Sequence, residues 1–382
     1  MMVAHSELGA SGAERWMSCP GSVELIKVLD LPETEDPDYR KNGTAAHAVG
    51  ALCLNDSSDT WEHVGKKFEG GVECDDEIAN SVQVYLDECR KFMGPGFDTA
   101  VEQSIAAPDF HAQFFGTLDF RSIEGTLLRV RDYKHGEGII VEAKENPQIM
   151  YYAYGELRKF PHITEVELGI VQPRGFHPDG AVRLWTCSAD YLKEWAATVL
   201  LPAMERAYLE TDFVPGSHCR FCPAKLVCPV VKSIFGAVIN TDPKEIVKWS
   251  DAEADRNYPY LAIAKMFVKA AEADMLARLM RNTPMENAYL CNKKSTRVWK
   301  PDAEQVIINK FGNEAYVSRE LKSPAQLEKI PGAAATVNEY AYKPDVGLTV
   351  AAKGDKRAKV TLKTVRETFP GIDALMEKEI EG

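Results

Sequence analysis

The spacing of apolar and polar side chains changes period several times along the chain. From about residue 42 to 92, apolar positions such as Ala46, Val49 and Cys53 recur at helical spacing, so this segment is expected to be helical. Between roughly 99 and 135 the period shortens to two. TAVEQSIAA, FFGTLDFRSI and TLLRVRDYK read as three strands, the last two joined by a tight turn at Glu124-Gly125. NPQIMYYAYGELRKF returns to helical spacing, with Asn146 as its cap and Pro147 in the first turn, where a missing N–H costs nothing. Two more strands, VELGIVQ (166–172) and AVRLWTC (181–187), flank a turn containing His177-Pro178-Asp179-Gly180. A helix over about 188–209 then leads into the cysteine-rich stretch SHCRFCPAKLVCPV. Antiparallel strands, a helix, then further strands describe a mixed α/β domain.

After about residue 236 the pattern becomes mainly helical. Ser250-x-x-Glu253 forms a capping box ahead of a long helix in which Ile263, Phe267, Ala271, Met275 and Leu279 recur every fourth residue. A second box, Ser323-Pro324-x-Gln326, starts a short helix near 323–330. The division expected is an α/β domain over 1–235 and an α-rich accessory domain over 236–382, with no internal repeat. A chain of 382 residues is long enough for two full cores.

Charge and cysteine content narrow the function. With 45 basic and 57 acidic side chains the formal charge is −12, which excludes a broadly basic nucleic-acid coat but not a local site built on cation-holding carboxylates. The nine cysteines are odd in number, the start MMVAHSELGASGAERW is polar and small, and no apolar run approaches the ~20 residues of a membrane span. The expected setting is reducing and cytoplasmic, without a disulfide framework.

Two groups of residues carry the chemistry. Alternation places Leu128, Val130, Asp132 and Lys134 on one inward face of the third strand, and Leu118-Asp119-Phe120 offers a second carboxylate from the strand before it. Two carboxylates meeting at a strand end make a hard-oxygen site suited to magnesium or manganese, and a lysine beside them suits charge developing on a phosphate. By itself Asp132-x-Lys134 reads more readily as a salt bridge at a strand end, since the tripeptide is common. Gln148 and Tyr152 share one face of the following helix, and His47 sits on the early helix behind a turn at Gly43. The second group is Cys219-x2-Cys222-x5-Cys228, three thiols that lack a fourth, for which Cys19 in SCPGS is the natural candidate. On spacing alone structural zinc is the commoner occupant of such a set, ahead of an iron–sulfur cluster and of free thiols. Cys53, Cys74, Cys89, Cys187 and Cys291 stand singly and read as ordinary small buried hydrophobes.

In order, Gly116-x-x-Asp119, Asp132-x-Lys134-x-Gly136 and Gln148-x-x-x-Tyr152, with His47 upstream in GTAAHA, resemble the RecB-type branch of the PD-(D/E)XK nucleases over about residues 10–235. The resemblance implies a restriction-endonuclease-like mixed sheet flanked by helices. It implies that His47, Asp119, Asp132 and the main-chain carbonyl of Tyr133 hold a divalent metal, and that Lys134 handles the attacking water. Gln148 and Tyr152 would organise the site or the DNA strand, and Glu102 matches an additional acidic position of some relatives near a second metal. Taken alone, Glu102 reads as a surface-strand glutamate. The one-plus-three cysteine layout resembles the AddB subunit and the CRISPR-adaptation nucleases, which implies a 4Fe–4S cluster on Cys19, Cys219, Cys222 and Cys228 in place of zinc. The opening ASGAERWMSCPGS and the tail segments ELKSPAQLEK and YKPDVGLTVAAKGDKRAKV resemble a phage and prophage family built on such a nuclease core.

The function expected from this resemblance is magnesium- or manganese-dependent hydrolysis of DNA phosphodiester bonds, as an exonuclease at single-stranded or duplex ends, in phage-type recombination or replication. Partner proteins of those processes, the host cytoplasm and no membrane go with it. The other readings are a non-catalytic DNA-binding module with a nuclease-like fold and a zinc-stapled interaction protein. Arg15-Trp16, just before Cys19, reads either as packing against the cysteine centre or as a contact to a DNA end, with plain packing the favoured reading. Lys293-Lys294-x-x-Arg297 and the run Lys353–Lys363 are either local phosphate contacts or solvated charge. No P-loop pattern is present in the chain.

Overall fold

The computed structural model describes residues 6–29, 38–246, 248–294, 296–300, 303–317, 320–327, 330, 332–342, 344, 347–352 and 360–361. Two compact units result, Met1–Phe267 and Val268–Gly382. The first unit thus continues past residue 235. Helix α8 (Pro229–Asn240) is followed by the short α9 (Pro243–Ile246) and by α10 (Asp251–Met280), which starts in this unit, and Val231 and Ile263 pack with Cys219 and Cys228 in one apolar cluster.

At the centre of the first unit is a five-stranded sheet in the order β1-β2-β3-β4-β5, comprising Asp98–Ala106, Phe115–Glu124, Leu127–Tyr133, Glu165–Val171 and Val182–Ser188. All neighbours are antiparallel except β3 and β4, whose parallel pairing is made by the crossover through helix α5 (Pro147–Lys159). The β2–β3 turn is as tight as expected, because Glu124 pairs with Leu127 and Gly125 takes φ +58°. Asn146 caps α5 by accepting from the amides of Gln148 and Ile149.

Helices cover both faces. On one, α5 with α1 (Ala13–Ser18), α6 (Ala189–Trp195) and α7 (Leu201–Leu209) buries Leu128, Val130, Leu168 and Ile170 of the sheet together with Trp16, Tyr151, Leu192 and Met204. The helix expected over 188–209 is continuous, with one widened π turn at Ala196–Leu200 just before Pro202. On the other face α3 (Asp38–Asp56) and α4 (Asp76–Arg90) bury Phe120, Tyr133 and Val171.

Two local expectations are corrected on that face. The helical stretch over 42–92 is two helices, separated where Ser57, Gly65, Gly70 and Gly71 adopt positive φ, a conformation no helix accommodates. Gly43 is not a turn: it lies inside α3, among enough helix-favouring neighbours to absorb the ~1 kcal/mol that glycine costs there.

The boxes Ser250/Glu253 and Ser323/Gln326 form as read, through the Ser250 and Ser323 amides donating to the Glu253 and Gln326 side chains. The second unit adds to its helices three short antiparallel pairs, the longest joining Ala288–Asn292 to Leu348–Ala352. Among the described residues no helix is long and apolar enough to cross a membrane. The basic positions Lys353, Lys356, Arg357, Lys359 and Lys363 lie outside the described residues.

Candidate functional site

The carboxylates and the lysine meet at the end of the sheet where β3 runs out into the loop before α5. Asp132 continues the Leu128–Val130 face towards α5. Its Oδ1 accepts from Gln148 Nε2 at 3.0 Å, and its Oδ2 lies 2.7 Å from Lys134 Nζ. That Oδ2 is buried and makes no hydrogen bond of acceptable geometry among the described residues. Lys134 Nζ donates to Gln148 Oε1 at 2.8 Å, and Gln148 Nε2 reaches the Tyr152 hydroxyl at 3.5 Å. Gln148 and Tyr152, one helical turn apart, thus act from one face as expected.

Asp119 arrives from the opposite face by a break in strand alternation. Leu118 packs towards α5, yet Phe120, two residues on, packs towards α3 and α4. Asp119 falls at this slip, and its Oδ2 accepts the Tyr133 amide at 2.7 Å, occupying a position a strand carbonyl would otherwise fill. Opposite it on β1, Glu102 drops out of the register between Val101↔Phe120 and Gln103↔Leu118 and takes φ +47°. A glutamate in this conformation is strained by roughly 1–2 kcal/mol. The distortion aims its carboxylate at His47, whose Nδ1 lies 3.8 Å from Glu102 Oε1 and 3.5 Å from Asp119 Oδ2. Ligand atoms of His47, Glu102 and Asp119 lie within 4.8 Å of one another, making a group able to hold a cation. Tyr133 holds His47 edge-on at 5.4 Å between ring centroids, and Tyr85 packs on Tyr133 at 5.3 Å. Tyr85 is absent from the sequence reading. Its only signal there is an apolar helical position, indistinguishable from core.

Electrostatically the site is under tension. Burial opposes a charged His47, but Asp119, the hydrogen bond to Glu102 and the charge of Asp132 outweigh it, so its pKa is pushed up to about 9. Burial raises Asp132, with Asp119 adding to the effect and Lys134 offsetting part of it, to about 6. Burial likewise raises Asp119, against the pull of His47. Burial next to these carboxylates holds the Tyr152 hydroxyl neutral far above its usual range. A divalent cation would relieve this tension. It would neutralise two crowded carboxylates, displace the proton from His47 and give the Asp132 oxygen a partner. His47, Glu102 and Asp119 offer N and O donors, and Asp132 lies across the Tyr133 peptide from them.

The cysteines form a second centre. Cys19, Cys219, Cys222 and Cys228, each 9% exposed or less, line one cavity with Ser22, Phe213, His218 and Lys225. None is in a disulfide. Cys19 follows α1, Cys219 lies on the short 3-10 turn Ser217–Phe221 and Cys222 just after it, and Cys228 is the N-cap of α8. The backbone amides of Val214 and Gly216 donate to the sulfurs of Cys19 and Cys219, each at 3.4 Å. Burial pushes the thiols of Cys219 and Cys222 up, a cost that a bound metal removes by taking the thiolates. The donor set therefore suits a thiolate-held metal or cluster. The four sulfurs are brought together as expected. Cys53, Cys74, Cys89 and Cys291 are buried apart from them, and Cys187 is half-buried on β5. Trp16 is fully buried with its Nε1 donating to the Gly9 carbonyl, whereas Arg15 turns to the cysteines.

A family model matches residues 5–358, a span that includes both centres, and its description is protein of unknown function (DUF2800). The chain belongs to this family.

Proposed function

We propose that the protein is a divalent-metal-dependent deoxyribonuclease of the RecB-type PD-(D/E)XK class, with a restriction-endonuclease-like core, acting as an exonuclease on DNA ends. One observation carries this reading. Asp119, Asp132 and Lys134, from two neighbouring strands and two faces of the sheet, converge at one strand end with His47 and Gln148. A salt bridge serving stability alone would need only Asp132 and Lys134. It would not need a strained Glu102 or a histidine crowded by two further carboxylates.

In this reading His47, Asp119, Asp132 and the Tyr133 carbonyl hold magnesium or manganese, and Glu102 adds a ligand on the His47 side. The bound ion supplies a water of lowered pKa and neutralises charge developing on the phosphorus. Lys134, fixed by Asp132 and Gln148, presents its ammonium to the attacking water or to a phosphate oxygen. Gln148 ties Asp132, Lys134 and Tyr152 into one rigid unit, so the lysine is positioned before substrate arrives. Action on single-stranded or duplex ends, in phage-type recombination or replication alongside partner proteins of those processes, rests on the sequence resemblance.

Linear and circular DNA incubated with magnesium or manganese test the proposal. Loss of the linear form alone, abolished in Lys134→Ala, is the expected result. A Lys134→Ala protein that degrades DNA at the parent rate overturns it, and binding without degradation favours a non-catalytic DNA-binding module.

For the cysteine centre the reading is a 4Fe–4S cluster that clamps residue 19 to residues 219–228. Its support beyond the resemblance is that Cys19, Cys219, Cys222 and Cys228 line one cavity, a set of four sulfurs that suits a thiolate-held group. Brown colour, broad visible absorption and about four irons per chain are expected. Colourless protein with stoichiometric zinc refutes the cluster.

A further inference from the structure

We propose that Arg15 and Lys225 are the counter-charges of the metal–thiolate group on Cys19, Cys219, Cys222 and Cys228, and that Arg15 sets how readily that group accepts an electron. This rests on the cysteine-centre reading above and assigns a role to two residues outside the ligand set. Arg15 stands one helical turn before Cys19, whose amide donates to the Arg15 carbonyl at 2.8 Å. Its half-buried guanidinium donates through Nη1 to Ser22 Oγ at 2.7 Å, and Ser22 itself lines the cysteine cavity. The charges acting on that guanidinium are those of Cys222 and Cys19. Lys225 lines the same cavity between Cys222 and Cys228, anchored by its Nζ donating to the Arg220 carbonyl at 2.9 Å, with Cys222 and Arg40 as the charges acting on it.

A guanidinium drawn out of water needs an anion. Four neutral thiols do not supply one, but a metal–thiolate group does. Four thiolates around a 4Fe–4S core of charge 2+, or around Zn²⁺, leave a net charge of −2, which one arginine and one lysine balance. The remaining polar groups fit the same assignment. The Val214 and Gly216 amides already point at sulfur. His218 is committed elsewhere, its Nε2 lying 2.9 Å from the Val214 carbonyl and its ring filling the space against Gly216 where a Cβ would sit 2.8 Å from it. It braces the loop and is not a fifth ligand. When a cluster takes up one electron, no bond is made or broken and its charge goes from −2 to −3, so nearby cations favour the reduced form. Arg15 feels two of the sulfurs, Cys222 and Cys19, and Lys225 only Cys222, so Arg15 carries the larger share.

The test is a potentiometric titration of the anaerobically purified full chain, with an electrode and mediators supplying the electron and visible absorption or electron paramagnetic resonance reading the cluster. Arg15→Gln is expected to make reduction about tenfold less favourable, ~59 mV for a one-electron couple. Lys225→Met should shift the same way by less, and Arg15→Lys should restore most of the parent value. Variants with the parent iron content and an unchanged midpoint overturn the inference. If Arg15→Gln does not fold, the half-exposed Lys225 carries the test. If the parent protein is colourless and holds zinc, it is the iron–sulfur reading that fails. The counter-charge assignment is then read from zinc loss to a chelator. A several-fold faster loss in Arg15→Gln supports it, and parent rates in both variants overturn it.

Discussion

The carboxylate centre and the cysteine centre both gather ionisable side chains out of water, but they are assembled in opposite ways. The cysteine centre draws three of its four sulfurs from a ten-residue stretch, and although burial pushes the Cys219 and Cys222 thiols up, two cations and two amides beside the sulfurs would offset negative charge there. The carboxylate centre takes one side chain each from α3, β1, β2 and β3, Lys134 from just beyond the end of β3, and two more from α5. Its charges oppose one another, with Asp132 and Asp119 pushed up and His47 held protonated. The buried ion pairs elsewhere in the sheet underline the difference. Arg131 lies between Glu88 and Glu167, and Arg121 between Asp98 and Glu156, so each buried cation has two carboxylates. At the strand end it is the carboxylates that are crowded, with Asp119 and Asp132 both raised by burial and both drawing on His47.

The contrast breaks most visibly at the cysteines. Cys19→Ala or Cys222→Ala should remove the metal and open a closure of about 200 residues. By analogy with a covalent link of that span, the loss of stability should reach ~2–5 kcal/mol, read as a fall in melting temperature. Cys53→Ala should keep the full metal content. Loss of metal in Cys53→Ala would show that the four-cysteine assignment is wrong.

At the carboxylate centre, activity and stability should move apart. Lys134→Ala should cost on the order of 10²–10³ in turnover, and Asp132→Asn should also be inactive. Yet Asp132→Asn removes a charge that the folded chain disfavours, so in chelator it should melt above the parent. An Asp132→Asn protein less stable than the parent would mean that the Asp132–Lys134 pair is a structural salt bridge.

The pH dependence of the metal-free chain follows from the same shifts. His47 in the folded chain titrates at about 9 against an ordinary 6.5, so its contribution to stability is fully present below 6.5 and disappears as pH rises through 9. Asp132 titrates at about 6 against an ordinary 3.8, so its protonated form stabilises below 3.8 and that contribution is lost as pH rises through 6. Both make the metal-free protein less stable as pH rises. His47→Gln should flatten the upper part of the profile. Manganese binding at pH 7.5 should release close to one proton, measurable by calorimetry in buffers of different ionisation enthalpy. Proton uptake would remove His47 from the ligand set.

The smallest expected effect is at Glu102. Glu102→Gly relieves the positive φ and should stabilise the metal-free chain by ~1 kcal/mol while weakening manganese binding. An unchanged manganese affinity would make this glutamate a strand irregularity with no part in the centre.

The five strands of the central sheet, the caps of α5 and α10, the face shared by Gln148 and Tyr152 and the one-plus-three cysteine set were all legible in the residues, because each depends on local period, capping chemistry or short spacing; the short strand pairs of the second unit were not. The break between α3 and α4 was not, since the apolar spacing persists on either side and the interruption lies in a few left-handed residues. Nor was the role of Glu102 legible. Period-two reading makes it a surface glutamate, and only the slip of β2 at Asp119, matched by the turn of β1 at Glu102, brings it to His47.

By itself, then, the sequence determined which residue types were available for chemistry and which elements carry them, because those follow from period and spacing along one chain. The tertiary structure decided which of them share a volume. It brought Asp119 and Asp132 to one strand end from opposite faces of the sheet, and it set Arg15 beside sulfurs two hundred residues away. Contacts of that range follow from how the layers pack and where a strand departs from regularity, and neither is written in the local pattern.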